Sequence, residues 1–249
     1  MPSDDISHTE EEYLEVFFWF LEYGSSHVKT NQIAEMMNVH PGTVTSMLRK
    51  LTKKNLIKYT PYYGAELTSK GRKIALKVVR NHRLAESFLH WLGLPWSKIH
   101  EEACKWEHVL TDEIAVMIEQ KIKLPERGPS GAFTPKHDGT VKTIPTKQPL
   151  ALFEEGNKVE IVEILERVIA RHMPKTLDLQ DIFKELEEKD LLPGQIFVIT
   201  SVKTRADVKI EMWSHLYATD MVLEGKSKKK INVSYYLVNM ILARKVNCD

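Results

Sequence analysis

The residues between 29 and 68 constrain the fold more than any other part of the sequence. The segment KTNQIAEMMNV is followed by the turn NVHPG and then by TVTSMLRKLTKKNLI. Both segments carry apolar residues at helical spacing: Ile33, Met36 and Met37 in the first, and Val44, Leu48 and Leu51 in the second. A short helix, a tight turn and a second helix rich in Lys and Arg are typical of a helix-turn-helix.

The sequence directly after the second helix predicts a β-hairpin. In IKYTPYYGAELTSKGR, residues Ile57, Tyr59 and Leu67 are typical of strands, and residues 61–64 are typical of a turn. Thr68 is placed to cap the helix that follows. A hairpin in this position makes the motif a winged helix-turn-helix.

The charge distribution supports contact with an anionic polymer. The whole chain has a net charge of +1, but residues 24–80 contain eleven Lys or Arg residues and two acids, which gives this segment +9. A segregated basic block of this kind is expected of a protein that binds the phosphate backbone of DNA. Without this charge, the same pattern would fit two structural helices and a hairpin with no ligand.

The remaining elements predict an α+β protein of 249 residues with several domains. We predict helices over residues 10–23 with Thr9 as N-cap, over 69–93, and from Ser97 through residue 123. A Pro- and Gly-rich stretch follows, and then alternating segments such as KVEIVEI, GQIFVITSV and VKIEMW predict a small β-barrel with one inserted helix. The expected boundaries are a winged helix-turn-helix over 1–73, a helical domain over 74–125, a linker over 126–149 and the barrel over 150–249.

Composition narrows the setting and the class of protein. The two cysteines, Cys104 and Cys248, are too few for a disulfide scaffold and favour a reducing compartment. No run of 18 apolar residues is present, and the acidic start does not resemble a signal peptide. We therefore expect a cytoplasmic protein with no membrane partner.

The region from residue 82 to 108 carries the residues most typical of a binding chemistry. His100, Cys104, Glu107 and His108 share one face if the helix is continuous, and His82 and Glu86 are one helical turn apart on the preceding helix. Any one of these residues alone would be an ordinary solvated or buried side chain. Together they predict a metal site, because two neighbouring helices direct nitrogen, oxygen and sulfur donors from six residues.

The donor types limit the metal. Imidazole, carboxylate and a single thiolate suit Fe(II), Mn(II), Co(II), Ni(II) or Zn(II), and do not suit Ca(II) or Mg(II). One thiolate is too few for a zinc finger or an iron–sulfur cluster. A metallohydrolase using Cys104, Glu107 and His108 is disfavoured, because the sequence has no H-E-x-x-H spacing, no nucleophile elbow and no evident catalytic base. We expect the protein not to be an enzyme.

The sequence resembles the diphtheria toxin repressor family of iron- and manganese-dependent regulators. The resemblance is carried by HTEEEYLEVFFWFLE and by NHRLAESFLHWLGLPWSKIHEEACKWEHVLTDEI, with the signature HRLAE followed by H-x-E-A-C-x-W-E-H. It covers residues 8–125 closely. From residue 150 onward it extends only to architecture, the SH3-like C-terminal domain of the longer, iron-type members.

The resemblance implies two metal sites and a metal-dependent switch. A primary site would fall on Glu12, Cys104, Glu107 and His108, and an ancillary site on His82, Glu86 and His100. The pair of Glu12 and Glu15, three residues apart, resembles the manganese-type members, whereas Cys104 stands where those members carry Glu. Both Fe(II) and Mn(II) are therefore candidate metals, with Co, Ni and Zn as in vitro substitutes. Without metal, repulsion among Glu12, Glu15, Glu86, Glu102 and Glu107 is expected to loosen the junction between the domains.

The resemblance further implies a homodimer that binds double-stranded operator DNA as a repressor, with the divalent metal as co-repressor. The expected DNA contacts come from the second helix and the wing: His40, Thr43, Thr45, Ser46, Arg49, Lys50, Lys53, Lys54, Tyr62 and Tyr63. His40 and Gly42 replace the residue types of iron-type members, so the operator of those members is not transferred. The alternative is a winged-helix regulator whose metal is structural or absent and whose barrel senses another signal.

Overall fold

The computed structural model describes residues 6–22, 25, 27–136, 138, 140–142, 146–166, 178–204 and 219–246. Cys248 and the predicted strand VKIEMW at 208–213 lie outside these residues. The chain divides into two compact units: the first contains Met1–Phe88, Glu101–Leu124 and Thr134–Val141, and the second contains Leu89–His100, Pro125–Phe133 and Lys142–Asp249. Helices and an antiparallel sheet are both present, which confirms the predicted α+β class.

The first unit begins with the predicted winged helix-turn-helix. Its elements are α1 (His8–Glu22), α2 (Thr30–Met36), α3 (Pro41–Lys53), β1 (Ile57–Thr60) and β2 (Gly64–Leu67). The strands pair antiparallel from Ile57 with Leu67 to Thr60 with Gly64, so the hairpin is confirmed. The aromatic residues of α1 and the apolar faces of α2 and α3 form one core: Tyr13, Leu14, Phe17, Phe18, Ile33, Val44, Leu48, Leu51, Leu56, Ile57 and Ala65 are buried.

A close backbone approach connects the wing to the next helix, α4 (Ser69–Trp91). The backbone N–H of Thr68 donates to Leu56 O at 3.0 Å, and the Thr68 hydroxyl accepts from the N–H of Gly71 at 3.1 Å. The Thr68 cap is therefore confirmed. A Cβ added at Gly71 would lie 1.9 Å from Leu56 O, so only glycine fits at this position.

The predicted continuous helix from residue 97 to 123 is wrong, because the structure has two helices there. α5 spans Trp96–Trp106 and α6 spans Asp112–Ile122, with Thr111 as N-cap of α6 accepting from Ile114 N at 3.3 Å. Residues 107–111 form the turn between them. Glu107 and His108 therefore lie on a turn, where the shared helical face of the sequence prediction does not apply.

The predicted N-caps of α1 and α5 are wrong. At the start of α1, the Ser7 hydroxyl accepts from Glu10 N at 3.4 Å while the Glu10 carboxylate accepts from Ser7 N at 2.8 Å, so Ser7 and not Thr9 is the cap. This reciprocal pair is a capping box. α5 begins at Trp96, one residue before the predicted cap Ser97.

The second unit contains one antiparallel sheet of six strands in the order β3-β8-β4-β5-β6-β7. The strands are β3 (Gln148–Pro149), β4 (Lys158–Ile164), β5 (Ile196–Thr204), β6 (Thr219–Glu224), β7 (Lys230–Val233) and β8 (Ile241–Lys245). The predicted strands at KVEIVEI and GQIFVITSV are confirmed. The inserted helix is α7 (Leu179–Glu188), and a second short helix, α8 (Tyr235–Met240), was not predicted. Among the described residues, no helix is long and apolar enough to cross a membrane.

Candidate metal centre and nucleic-acid interface

His108 lies between carboxylates from two parts of the first unit. Its Nδ1 is 2.7 Å from Glu11 Oε2 on α1. On the other side of the ring, Nε2 is 3.2 Å from Glu107 Oε1 and 3.9 Å from Glu12 Oε1. The turn that carries Glu107 and His108 is held by Asn81 of α4, whose side-chain amide donates to Glu107 O at 3.1 Å and to Leu110 O at 3.3 Å. The first turn of α1 and the turn after α5 therefore meet at His108.

A second imidazole, His82 of α4, lies among the other donors of this unit. Its Nε2 is 3.2 Å from Glu86 Oε1, its Nδ1 contacts Glu107 Oε2, and Cys104 is a further hydrogen-bond partner. His82, Glu86 and Glu107 are all buried, and the Cys104 thiol is half-buried. Glu107 thus connects His82 with His108, since its two oxygens contact different imidazoles.

These contacts determine the protonation of both imidazoles. Burial lowers the pKa of His82, but Glu86, Cys104 and Glu107 together raise that pKa well above its usual value. Contact with Glu107, together with the hydrogen bond to Glu11, raises the pKa of His108 to about 9 against the effect of burial. The protonated rings of His82 and His108 therefore relieve the expected repulsion at Glu86 and Glu107. At Glu102 the nearby cation is Lys105, whose Nζ lies 2.7 Å from the carboxylate.

The atoms present fit a divalent transition metal. Within the described part of the chain, His108 Nε2 is buried without a hydrogen-bond partner of suitable geometry, although carboxylate oxygens of Glu107 and Glu12 face it. The side chain of Glu12 is 50% exposed, so it is free to rotate toward that nitrogen. Imidazole nitrogen, carboxylate oxygens and the nearby Cys104 thiol are the borderline donor set of first-row divalent ions.

Two further predicted ligands each have a polar partner close by. His100 belongs to the second unit, where its Nδ1 is 3.2 Å from Glu166 Oε2 and its ring contacts that of Phe183 with a centroid distance of 5.6 Å. Glu15 is buried and accepts from Trp19 Nε1 at 3.4 Å. Its role as a metal ligand stays a prediction, as does that of His100.

The exposed face of α3 carries the predicted DNA contacts. Its N-terminus is capped by His40, whose Nδ1 accepts from Gly42 N at 3.1 Å. Of the predicted residues on this helix, Thr45 is half-buried and five are exposed: Thr43, Ser46, Arg49, Lys50 and Lys53. The hydroxyls of Thr45 and Ser46 donate to the carbonyls of Pro41 and Gly42, at 3.0 and 3.1 Å, and rotation would release them for another acceptor. At the tip of the wing, Tyr62 and Tyr63 are exposed.

Two lysines of this face have an intramolecular partner. Lys54 Nζ is 2.8 Å and Lys50 Nζ is 3.4 Å from Glu10 Oε1, and Glu10 is fully buried on α1. The pKa of Glu10 would be raised by burial, but Lys54 and Ser7 lower it to about 2. Lys50 is still half exposed, whereas Lys54 is mostly covered, so Lys54 joins α3 to α1.

Comparison with known proteins places the N-terminal half of the chain in one family. Residues 5–65 match the model of the iron dependent repressor N-terminal DNA binding domain, and residues 68–136 match that of the iron dependent repressor metal binding and dimerisation domain. An HTH-type transcriptional regulator of Methanocaldococcus jannaschii is 39% identical over 110 residues, which cover 44% of this chain and 88% of that protein. The chain belongs to the iron-dependent repressor family.

Two further similarities agree with this family. The diphtheria toxin repressor of Corynebacterium jeikeium is 31% identical over 159 residues, 64% of this chain and 66% of that protein. A manganese-dependent transcriptional repressor in complex with manganese has the same fold, with a TM-score of 0.74 and 22% identity over 95% of this chain and all of that one. The resemblance stated from the sequence is therefore confirmed, and the relatives of this family member are transcriptional regulators.

Sequence reasoning missed three acidic residues of this repressor-family chain. Glu11 contacts His108, Glu166 contacts His100, and Glu10 contacts Lys50 and Lys54 at the end of α3. For Glu10 a signal was available, because Ser7 and Glu10 have the S-x-x-E spacing of a capping box. Glu11 and Glu166 had none, because their partners lie 97 residues later and 66 residues earlier in the chain.

Proposed function

We propose that this chain is a metal-dependent, DNA-binding transcriptional repressor for which Fe(II) or Mn(II) is the co-repressor. It would act as a homodimer on double-stranded operator DNA, in the cytoplasm where such DNA lies. The observation that carries the proposal is the buried Nε2 of His108, which faces carboxylates from α1 of the DNA-binding domain and from the turn after α5. We propose no enzymatic activity for it.

The proposed primary ligands are Glu12, Cys104, Glu107 and His108, with Glu15 as a further carboxylate from α1. His82, Glu86 and His100 are proposed as ancillary ligands, on the strength of the family resemblance. When bound, a divalent ion supplies concentrated positive charge that neutral or singly charged side chains lack. His108 and His82 would give up protons to ligate, because an imidazole nitrogen coordinates only in its unprotonated form.

The proposed switch follows from the positions of these ligands along the chain. Glu12 is on α1, which packs in the core of the DNA-binding elements, whereas Cys104, Glu107 and His108 are in the segment matched by the metal-binding and dimerisation model. Ligation by both groups favours the one arrangement in which they are close. A ligand that binds one arrangement better shifts the population toward it, and in a dimer that arrangement sets the spacing of the two recognition helices.

The proposed DNA contacts are sorted by chemistry. Arg49, Lys50 and Lys53 are exposed cations suited to phosphates, and Lys54 would contribute less because Glu10 already holds it. His40, Thr43, Thr45 and Ser46, near the N-terminus of α3, are placed for base edges or phosphates. Tyr62 and Tyr63 would contact the backbone beside the recognition helix.

The ligand set supports both candidate metals for different reasons. The thiolate of Cys104 favours the softer Fe(II), with Co(II), Ni(II) and Zn(II) as substitutes, whereas Glu12 and Glu107 add the carboxylates that suit Mn(II). A competing hypothesis draws on the imidazolium–carboxylate pairs, which neutralise the buried carboxylates without any metal. Under that hypothesis, DNA binding would not depend on metal.

A mobility-shift assay on the DNA upstream of the chain's own coding sequence separates these hypotheses. We expect a shifted complex with anaerobic Fe(II) or with Mn(II), and its loss with excess chelator. Glu12→Ala and Cys104→Ala should each remove the metal dependence while leaving the dimer intact in sedimentation. Equal binding with metal and with chelator would reject the proposal, and normal activation of both variants would reject the ligand assignment.

A further inference from the structure

Three consecutive acids at the start of α1 make three different contacts. Glu10 contacts Lys54 directly after α3, Glu11 contacts Nδ1 of His108, and Glu12 faces Nε2 of the same ring. Only Glu12 has a place in the ligand set proposed above. The Glu11 contact is the shorter of the two to His108, at 2.7 Å against 3.9 Å.

The chemistry of imidazole gives the Glu11 contact a consequence. An ionised carboxylate only accepts hydrogen bonds, so at 2.7 Å the His108 Nδ1–H donates to Glu11 Oε2. When the ring gives up one proton to ligate, a proton held on Nδ1 by Glu11 leaves Nε2 as the nitrogen with an available lone pair. Nε2 is also the buried atom that faces Glu107 and Glu12.

The orientation of the ring is held by a second contact. The ring of His8, also in the first turn of α1, stacks on that of His108 with a centroid distance of 4.8 Å and an interplanar angle of 11°. Stacking fixes the plane of the ring, and the Glu11 hydrogen bond fixes its rotation within that plane. His108 itself is only 8% exposed, so water competes little for either contact.

We propose that Glu11 is a positioning residue that holds His108 as the Nδ1–H tautomer and thereby directs Nε2 to the metal. The inference rests on the proposed function, because it assigns a partner to a proposed ligand. Carboxylates that accept from the second nitrogen of a metal-binding histidine fix its tautomer and increase its basicity, and their loss typically lowers metal affinity by about 10- to 100-fold. Through Glu11, α1 also contacts His108 at Nδ1, the ring nitrogen that faces away from the proposed metal position.

Metal titrations of the full chain test the affinity. The probes are Co(II), followed by its thiolate charge-transfer absorption from Cys104, and Zn(II) in competition with a chromophoric chelator. We expect Glu11→Ala to weaken binding by about 10- to 100-fold, and Glu11→Gln to recover much of this loss because its amide oxygen still accepts from Nδ1. Glu188→Gln is the matched control, since Glu188 is 66% exposed on α7 in the second unit.

A second measurement separates positioning from a general structural effect. Nitrogen-15 spectra of the histidine rings in the Zn(II)-loaded protein report which nitrogen carries the proton. We expect a protonated Nδ1 and a coordinated Nε2 for His108 in the wild type and in Glu11→Gln, and a mixed or exchange-broadened signal in Glu11→Ala. Coordination through Nδ1 in the wild type, or equal affinity of wild type and Glu11→Ala, would overturn the inference. Failure of the wild type to bind either metal would instead reject the proposed function itself.

Discussion

Replacing Glu10 by Gln tests how α1 is joined to the recognition helix. The Glu10 carboxylate is fully buried and is contacted by Lys54 Nζ at 2.8 Å, Lys50 Nζ at 3.4 Å and Ser7 N at 2.8 Å. Gln has nearly the same shape and retains an oxygen for the Ser7 cap. The substitution therefore removes the charge while leaving the capping contact in place.

The pKa of Glu10 gives the size of the stability loss expected for Glu10→Gln. A pKa of about 2 in place of the usual 4.5 means that the fold favours the charged form by about 3 kcal/mol. Part of this is recovered in the variant, because Lys54 is 29% exposed and can turn toward water. Hydrogen bonds to charged groups contribute about 1.5–3 kcal/mol, so we expect a loss near 2 kcal/mol.

Native-state hydrogen exchange is the assay that reads this loss locally. A loss of about 2 kcal/mol accelerates exchange roughly 30-fold, and we expect this for peptides from both α1 and α3. A double-mutant cycle with Lys54→Met should give a coupling energy of about 1–2 kcal/mol. Glu188→Gln, which breaks an exposed pair with Lys184 at 3.8 Å, should leave exchange unchanged. Unaltered exchange in Glu10→Gln, or strict additivity with Lys54→Met, would refute the reasoning.

Three further predictions use other substitutions. Gly71→Ala should destabilise the first unit by about 1–3 kcal/mol in urea unfolding, because its Cβ would meet Leu56 O at 1.9 Å; the stabilisation that Ala usually gives within a helix would contradict this. Arg49→Ala should weaken operator binding and reduce the slope of log affinity against log salt concentration by about 1. Lys54→Ala should change this slope less, because Glu10 holds that lysine. A larger change in slope for Lys54→Ala than for Arg49→Ala would be evidence against the assigned partners. Cys104→Glu should shift the preference in metal titrations from Fe(II) toward Mn(II), because it exchanges a soft donor for a hard one; an unchanged ratio would reject the role of the thiolate.

The elements of the DNA-binding part were predictable because their signals are local. Apolar spacing in α2 and α3, the turn residues of the wing and the Thr68 cap each depend on residues within about one or two turns of each other. The same local rules failed at residues 107–111. There the helical pattern continues through the sequence, but Asn81 binds the carbonyls of Glu107 and Leu110 from another helix. A tertiary contact of this kind leaves no trace in local periodicity.

The sequence predicted which residues belong to the candidate site better than it predicted how they are arranged. His82, Glu86, Cys104, Glu107 and His108 were all singled out, and in the first unit they form contacts around the two imidazoles. The role of Glu11 was not predictable, because three adjacent acids in one helical turn give no reason to choose among them. The choice depends on how the turn at His108 meets α1, which only the tertiary structure determines.

The measurement that tests the central claim most directly is the linkage between metal and operator. Operator affinity is measured by fluorescence anisotropy with saturating metal and with chelator, and metal affinity is measured with and without saturating operator. If metal is the co-repressor, the two ratios must be equal, and a coupling of about 1–3 kcal/mol predicts a factor of roughly 5 to 150 in each. A ratio of one in both directions would show that metal and DNA bind independently and would contradict the account.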